Sequence, residues 1–145
     1  MTSTLLELER KIQELQDIEA IKKLKAMYWN SVDAQRWDVL PGCFAEDIIF
    51  ESPFFGRMEG KDYITKVLKR AMRNVKTLHQ GHNPEIEITC SVSAKGRWVL
   101  NDCVQTTDNQ LSRGYGRYED DYIRENGTWK IKKSILTYVF QEKSS

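Results

Sequence analysis

The chain has 145 residues, of which 40% are hydrophobic and 30% charged, and its formal net charge is +1. This length and composition predict one soluble globular domain, residues 1–145, with a single hydrophobic core. Scattered lysines and arginines argue against a nucleic-acid partner, and the lack of a long apolar segment argues against a membrane and a signal peptide, so we expect a cytoplasmic protein.

The first predicted element is a long amphipathic helix that begins near Thr4. Its apolar residues recur every three or four positions and therefore share one helix face: Leu5, Leu8, Ile12, Leu15, Ile18, Ile21, Leu24, Tyr28 and Val32. We assign Lys22, Lys23 and Lys25 to the solvated side. Because a helix of about 28 residues is long for a globular domain, we expect its first half to pack on a neighbouring subunit.

Short elements separate this helix from the rest. A brief helix is predicted at Trp37–Leu40, and it should end at Pro41 and Gly42. A short strand is predicted at Ile48–Ser52. Gly56–Gly60 marks a turn or a short strand. The helical period then returns over Lys61–Val75, and we interpret its basic residues as a solvated face rather than as a phosphate site.

The second half of the chain predicts strands. One spans His79–Thr89 with Pro84 at an edge or bulge, and another spans Ala94–Cys103 with alternate residues, ending at Asp102, on one face. Leu111–Arg124 and Thr128–Gln141 follow as a hairpin around an Asn-Gly turn. We predict that alternate residues of the last strand, from Trp129 to Val139, share one face.

Helices followed by strands indicate the α+β class. A strongly curved antiparallel or mixed sheet wrapped by the N-terminal helix would leave a closed cone, whose interior must hold side chains or a ligand.

Neither the cysteines nor the histidines predict a metal site. Cys43, Cys90 and Cys103 are dispersed and odd in number, so we interpret them as core residues rather than as a disulfide framework, a zinc cluster or a catalytic thiol. His79 and His82 would face opposite sides of a regular strand.

The residues that carry candidate chemistry each have two interpretations. His79 is either a satisfied core histidine, which general frequencies favour, or a general base with a pKa near neutrality. Asp33 is either a capping residue at a helix end or part of a site, and Tyr28 is either a half-buried core aromatic or part of the same site. These two residues lie about 140° apart on a regular helix. They can share one pocket only if the helix ends or widens near Ser31, or if the pocket wraps around it. Asp102 needs a partner if it is buried.

Four segments resemble the SnoaL-like branch of the nuclear transport factor 2-like superfamily, and within it the bile acid 7α-dehydratases most. They read LKAMYWNSVDAQRWD, TLHQGHNPEIEI, AKGRWVLND and GYGRYEDDYIRENGTWKI. The resemblance implies a cone-shaped α+β barrel with an apolar pocket and no metal or cofactor. It also implies that His79 is the catalytic base, that Asp33 orients it and that Tyr28 hydrogen-bonds a substrate oxygen.

The chain departs from the dehydratase pattern at two pocket positions. Tyr138 stands where the resemblance implies an arginine, and Ser52 stands where it implies a tyrosine. Phenylalanines near Ser52 predict an apolar cavity that accepts rings: Phe50, Phe54 and Phe55. The substrate-binding residues that we predict are Asp102, Tyr138, Ser52, Phe50 and Tyr115.

We therefore predict a cofactor-independent lyase that eliminates water from a polycyclic, steroid-like or polyketide-like hydroxylated small molecule. An isomerase or cyclase with the same histidine–aspartate base and a non-catalytic binding module stay open as alternatives, because a fold does not fix a function. We expect an apolar small molecule as the binding partner and a homo-oligomer, either a trimer or a dimer.

Overall fold

The computed structural model describes residues 2–144. Within them the chain forms two α-helices, a 3₁₀ helix and six strands: α1 (Ser3–Asp33), the 3₁₀ helix (Leu40–Cys43), β1 (Phe44–Ser52), β2 (Gly56–Glu59), α2 (Lys61–Ala71), β3 (Lys76–Cys90), β4 (Ser93–Gln105), β5 (Leu111–Glu125) and β6 (Thr128–Lys143). Neither of the two α-helices described combines the length and the apolar character needed to cross a bilayer.

The strands form one curved sheet in the order β2-β1-β6-β5-β4-β3. β1 runs parallel to β6, and the other neighbouring pairs are antiparallel. The predicted cone-shaped α+β fold is confirmed, but the sheet is open rather than closed. Closure would require backbone hydrogen bonds between the edge strands β2 and β3. α1 instead packs against β3, where it covers one face of the sheet.

Two short elements differ from their predictions. The predicted helix at Trp37–Leu40 is instead a 3₁₀ helix that starts at Leu40 and includes Pro41, because proline fits the first turn of a helix, where no backbone donor is needed. The strand predicted at Ile48–Ser52 begins earlier, at Phe44. The Asn126–Gly127 turn has positive φ at both residues, as its hairpin signal predicts.

α1 is one unbroken helix whose two halves have different surroundings. Thr2 caps its start by accepting a hydrogen bond from the backbone N–H of Leu5 at 3.2 Å. The described residues before Asp17 are exposed, whereas the following turns bury one face against the sheet. Asp17 marks the change, because it is buried and accepts hydrogen bonds from Arg124 and from the Trp129 indole.

Lys25 corrects a prediction about this helix. We assigned it to the solvated side, but its side chain is fully buried, with Nζ 2.9 Å from Asp120 Oδ2. Lys25 follows Ile21 by four residues and precedes Tyr28 by three, which is the spacing of the core face. The position of Lys25 on the core face of the helix therefore outweighs the cost of burying its charge. The core supplies the Asp120 carboxylate as a partner for the buried ammonium.

β6 corrects a second prediction. Its pairing with β5 slips by one residue at two places, where Lys132 and Val139 are left without a partner on β5. At each bulge the alternation of side chains shifts by one residue. The alternate residues from Trp129 to Val139 therefore do not all face the core, in contrast to the prediction. The buried residues of β6 are Trp129, Ile131, Ser134 and Leu136.

The exposed half of α1 gives a testable expectation about assembly. Leu5, Leu8, Ile12 and Leu15 share one side of the helix and are each at least half exposed. We expect this stripe to be covered by a second copy of the chain, because apolar side chains spaced three and four apart suit helix pairing. Replacing Leu8 and Ile12 together by glutamate should shift the protein to monomer in light scattering after size exclusion.

Arg10→Glu is the matched control, since Arg10 points to the opposite side of the helix. An unchanged mass for the double variant, or a wild-type protein that is monomeric at high concentration, would contradict this expectation.

Candidate functional site

An imidazole and a carboxylate meet where the end of α1 reaches β3. His79 Nδ1 lies 2.6 Å from Asp33 Oδ1. The side chain of His79 is 14% exposed and that of Asp33 is 12% exposed, so the pair is largely shielded from water but still reachable. The structure thus brings together the two residues that the sequence predicted as base and orienting acid.

Asp33 is fixed by further donors. Thr77 Oγ1 donates to Asp33 Oδ1 at 2.9 Å, and the backbone N–H of His79 donates to Oδ2 at 2.8 Å. An ionised carboxylate only accepts hydrogen bonds, so the ring nitrogen facing it carries the proton. In the neutral imidazole, Nε2 then keeps a free lone pair, and this is the tautomer that a general base requires.

His79 lines a groove of about 440 Å³ between α1 and β3. Trp29 and Trp98 form its apolar wall, with their rings edge-to-face at 5.2 Å. Trp29 lies so close to Gly81 that any side chain at that position would overlap the indole. Both indoles are themselves buried, at 5% and 6% exposed, so they give the groove beside the imidazole an apolar wall with little free ring surface.

A second polar pair lies on the same face of the sheet. Asp102 is directly opposite His79 in the β3–β4 pairing, so the two side chains project to one side. The Tyr138 hydroxyl donates to Asp102 Oδ2 at 2.5 Å. Asp102 is 6% exposed, and the partner that its burial requires is thus a neutral phenol rather than the arginine that the resemblance implies.

Tyr28 lies apart from the Asp33–His79 pair. It is buried in the core, where its ring contacts Trp29 and Phe44. α1 stays helical to Asp33, so the two side chains leave it in different directions. Burial raises the pKa of Tyr28 well above its ordinary value, with smaller contributions from groups that include Tyr138. The phenol therefore keeps its proton at neutral pH.

The other predicted substrate-binding residues are spread over the sheet. Phe50 is a core residue, and Ser52 Oγ accepts a hydrogen bond from the backbone N–H of Phe55 at 3.0 Å. Phe54 is 80% exposed and does not line an enclosed cavity, in contrast to our prediction.

Tyr115 was also predicted to bind substrate, but it lies on the other face of the sheet. Gly114 and Gly116 on either side of it face inward, and side chains alternate along a strand. Its hydroxyl donates to Glu142 at 3.0 Å, and its ring stacks on Phe140. The structure therefore does not bring Tyr115 together with His79.

The cysteines occupy three different environments. Cys43 is buried as predicted, whereas Cys103 is half-buried and Cys90 is exposed. Within residues 2–144, no group of three histidine, cysteine, aspartate or glutamate side chains lies close enough to hold a metal ion.

Sequence reasoning missed two residues of the site. Thr77 precedes His79 by two positions, so the period-two alternation of a strand is the signal that could have placed it beside Asp33. The second is Gly114 on β5, which lies under the Asp102–Tyr138 contact. No local pattern distinguishes such a glycine from one in a turn.

Buried phenols predict a loss of stability in alkali. Burial raises the pKa of Tyr28, Tyr118 and Tyr122 above their ordinary value of about 10. Above that pH the unfolded chain loses these protons while the folded chain keeps them, so the free energy of unfolding falls by about 1.4 kcal/mol per pH unit for each phenol.

Urea unfolding at increasing alkaline pH, followed together with phenolate absorbance, measures this effect. If all the tyrosines of the folded protein ionised at their ordinary pKa, the expected loss of stability would be contradicted.

A model of the SnoaL-like domain family matches residues 13–135. Among curated proteins, an uncharacterised protein of Mycobacterium tuberculosis is 24% identical over 134 residues, which are 90% of this chain and 91% of that protein. The sequence similarity between the two proteins therefore extends over almost the whole length of both chains.

Solved structures share the fold. A candidate scytalone dehydratase from Novosphingobium aromaticivorans superposes with a TM-score of 0.85 at 24% identity, over 93% of this chain and 92% of that one. A hexachlorocyclohexane dehydrochlorinase from Novosphingobium barchaimii also gives a TM-score of 0.85, at 17% identity over 93% and 94% of the two chains. A protein of unknown function from Mycobacterium tuberculosis gives 0.77 at 25% identity, over 86% and 73%.

Proposed function

The chain belongs to the SnoaL-like domain family, and from this premise we propose that it is a cofactor-independent lyase that eliminates water from a hydroxylated small molecule. The observation that carries the proposal is the Asp33–His79 hydrogen bond at the groove. A protein that only binds ligands has no need of an imidazole whose tautomer is fixed by a carboxylate with two further donors.

In the proposed reaction, Nε2 of His79 removes a proton from carbon. The electrons of that C–H bond form a new double bond, and the bond from the neighbouring carbon to its hydroxyl oxygen breaks. Asp33 stabilises the imidazolium that forms, and the imidazolium can return its proton to the departing hydroxide, which leaves as water. No electrons are gained or lost overall, so the step requires no redox partner.

Tyr28 is proposed to stabilise charge on a carbonyl oxygen conjugated to the carbon that loses its proton. A phenol is protonated at neutral pH and can therefore donate to a developing enolate. Such a donor acts in the transition state more than in the ground state. The substrate must then reach from the groove at His79 towards the core, where the Tyr28 ring lies.

We propose a polycyclic, steroid-like or polyketide-like alcohol as substrate. The apolar wall of the groove beside His79 supports a hydrophobic substrate, and a hydroxysteroid is the class that the predicted likeness to bile acid 7α-dehydratases implies. The candidate dehydratase and the dehydrochlorinase of the same fold are both named for eliminations.

A panel of hydroxysteroids, hydroxylated polyketides and simple β-hydroxy ketones tests the proposal. Loss of water is followed by mass spectrometry and by the absorbance of the new conjugated double bond, with the reaction repeated in deuterated water. Water loss catalysed by the wild-type protein supports the lyase. Deuterium uptake at carbon without water loss would indicate an isomerase instead, and binding of panel compounds without either reaction would indicate a binding module.

A further inference from the structure

The Trp98 indole is connected to the buried ion pair of the core by two successive hydrogen bonds. Its Nε1–H donates to the Tyr122 hydroxyl at 3.1 Å, and that hydroxyl donates to Asp120 Oδ2 at 2.7 Å. Asp120 Oδ2 in turn lies 2.9 Å from Lys25 Nζ. Because the phenol gives its only proton to the carboxylate, its oxygen is free to accept from the indole. Tyr122 therefore fixes Trp98 relative to the ion pair.

The Trp29 indole is connected to the same ion pair through a different phenol. Its Nε1–H donates to the Tyr118 hydroxyl at 3.4 Å. The Lys25 ammonium lies 4.0 Å from the centre of the Tyr118 ring and 4.7 Å from the centre of the Trp29 ring. A cation is attracted to the face of an aromatic ring, and the attraction is stronger where water is excluded. Lys25 therefore holds Trp29 both directly and through Tyr118.

Gly96 on β4 provides the space that the Tyr122 ring needs. Tyr122 pairs with Ala94 in the β4–β5 ladder, four positions before Trp98 on the neighbouring strand. Its ring reaches towards Trp98 across Gly96, where a Cβ would lie only 2.9 Å from a ring carbon. A side chain at position 96 would therefore displace the phenol from its place between the carboxylate and the indole.

The stability of the core does not by itself account for a charged pair at this place. The loss of hydration offsets most of the attraction between two buried charges, and well-packed apolar side chains often replace such a pair without loss of stability. Lys25 and Asp120 are both fully buried. The two indoles that depend on them, however, line the groove beside His79. The contacts of the pair thus lead to the wall of the candidate site.

We propose that the Lys25–Asp120 pair is a positioning device, which fixes the two indoles of the groove wall through Tyr118 and Tyr122 and thereby sets the shape of the ligand site. The inference rests on the proposed function in one respect, namely that the groove is the ligand site. All four residues are positioning residues, because they act through the indoles and not by touching a ligand. Without the pair, the indoles lose their directed partners and the wall takes up more than one arrangement.

Indole N–H resonances test the positioning without any ligand. The chain has four tryptophans, so a ¹⁵N–¹H spectrum contains four indole signals, which single Trp→Phe variants assign. Tyr122→Phe should shift the Trp98 signal and make its hydrogen exchange roughly tenfold faster, as the loss of one hydrogen bond allows. Tyr118→Phe should do the same to the Trp29 signal.

Two controls accompany these spectra. Trp129 is an internal reference, because its indole donates to Asp17 and not to either phenol, and its signal should stay in place in each variant. Tyr115→Phe is the matched substitution, because that phenol lies on the other face of the sheet, and it should leave the Trp29 and Trp98 signals unchanged.

The double variant Lys25→Met/Asp120→Leu separates positioning from stability. It should remain folded in thermal melting, because apolar side chains replace both charges, while the signals of both groove indoles change together. Calorimetry with the hydroxysteroids of the panel should give dissociation constants about tenfold higher than those of the wild type. For a compound that is turned over, KM should rise by a larger factor than kcat falls, because the Asp33–His79 hydrogen bond is not part of this network.

Three results would overturn the inference. They are an unchanged Trp98 signal in Tyr122→Phe, a folded double variant that binds hydroxysteroids as tightly as the wild type, and a wild type that binds none of them. If the double variant fails to fold, Tyr122→Phe decides the question, because it removes a single oxygen and should also weaken hydroxysteroid binding.

The lyase proposal and the positioning proposal fail separately in this design. Hydroxysteroid binding that depends on the ion pair but is not followed by water loss would reject only the lyase. Water loss with the same KM in the wild type and the double variant would reject only the positioning role.

Discussion

His79→Ala is expected to lower kcat for water elimination by about 10²–10⁴-fold, because the variant loses the general base. Asp33→Asn should cause a loss of similar size for a different reason. A carboxamide can donate to Nδ1, so that Nε2 would carry the proton and no longer act as a base. Steady-state kinetics on the most reactive panel compound, with thermal melting as a check of folding, measures both effects.

His82→Ala is the matched control for this prediction. His82 lies three residues further along β3 and is exposed on the strand, so its removal should leave kcat unchanged. If His79→Ala retained kcat within a few-fold of the wild type while remaining folded, the imidazole would not be the base and the proposed function would fail.

Asp120→Ala is expected to destabilise the protein by about 3–5 kcal/mol, which is the usual effect of removing one partner of a buried ion pair. Lys25 and Asp120 are both fully buried, and the Lys25 ammonium also lies 4.0 Å from the centre of the Tyr118 ring. Ser134 and Tyr122 donate to the Asp120 carboxylate at 2.6 and 2.7 Å, so the substitution also leaves two hydroxyls without their acceptor.

The pH dependence provides a second measurement of this pair. Burial lowers the pKa of Lys25 and outweighs the opposing attraction of Asp120. Below the ordinary lysine pKa the unfolded chain therefore holds this proton more tightly than the folded chain, so the contribution of Lys25 to stability rises as the pH rises towards that value. Lys25→Met should remove this part of the pH dependence.

Urea unfolding of wild type, Asp120→Ala and the double variant Lys25→Met/Asp120→Leu tests the prediction. The double variant should recover much of the loss, because it leaves no unpaired charge in the core. Glu46→Gln, which breaks the exposed ion pair with Lys61, is the control and should leave the denaturation midpoint unchanged. A small effect of Asp120→Ala, similar to that of the control, would refute this account of the core.

Much of the fold could be predicted because it depends on local periodicity. Apolar spacing of three and four predicted α1, and alternation predicted the inward face of β4 that ends at Asp102. The Asn126–Gly127 turn fixed the last hairpin through its positive φ angles. Each of these signals lies within a few residues of chain, which is why they could be read without a structure.

The candidate site could be predicted only in part. The likeness to SnoaL-like proteins selected His79 and Asp33, and the structure places them in contact. The likeness did not reveal that Tyr115 points to the other face of the sheet or that Phe54 is exposed. It also could not reveal that Thr77 supports Asp33, because that contact joins residues 44 positions apart.

The sequence by itself determined the two α-helices, the long strands of the second half and the α+β class, because these follow from periodicity along one segment. Only the tertiary structure decided the environment of Lys25, the two bulges of β6 and the contact of Tyr138 with Asp102 over Gly114. The physical reason is that each of these depends on which strand or helix lies alongside. A bulge exists only relative to its partner strand, and a buried lysine is tolerated only where another element brings a carboxylate to it.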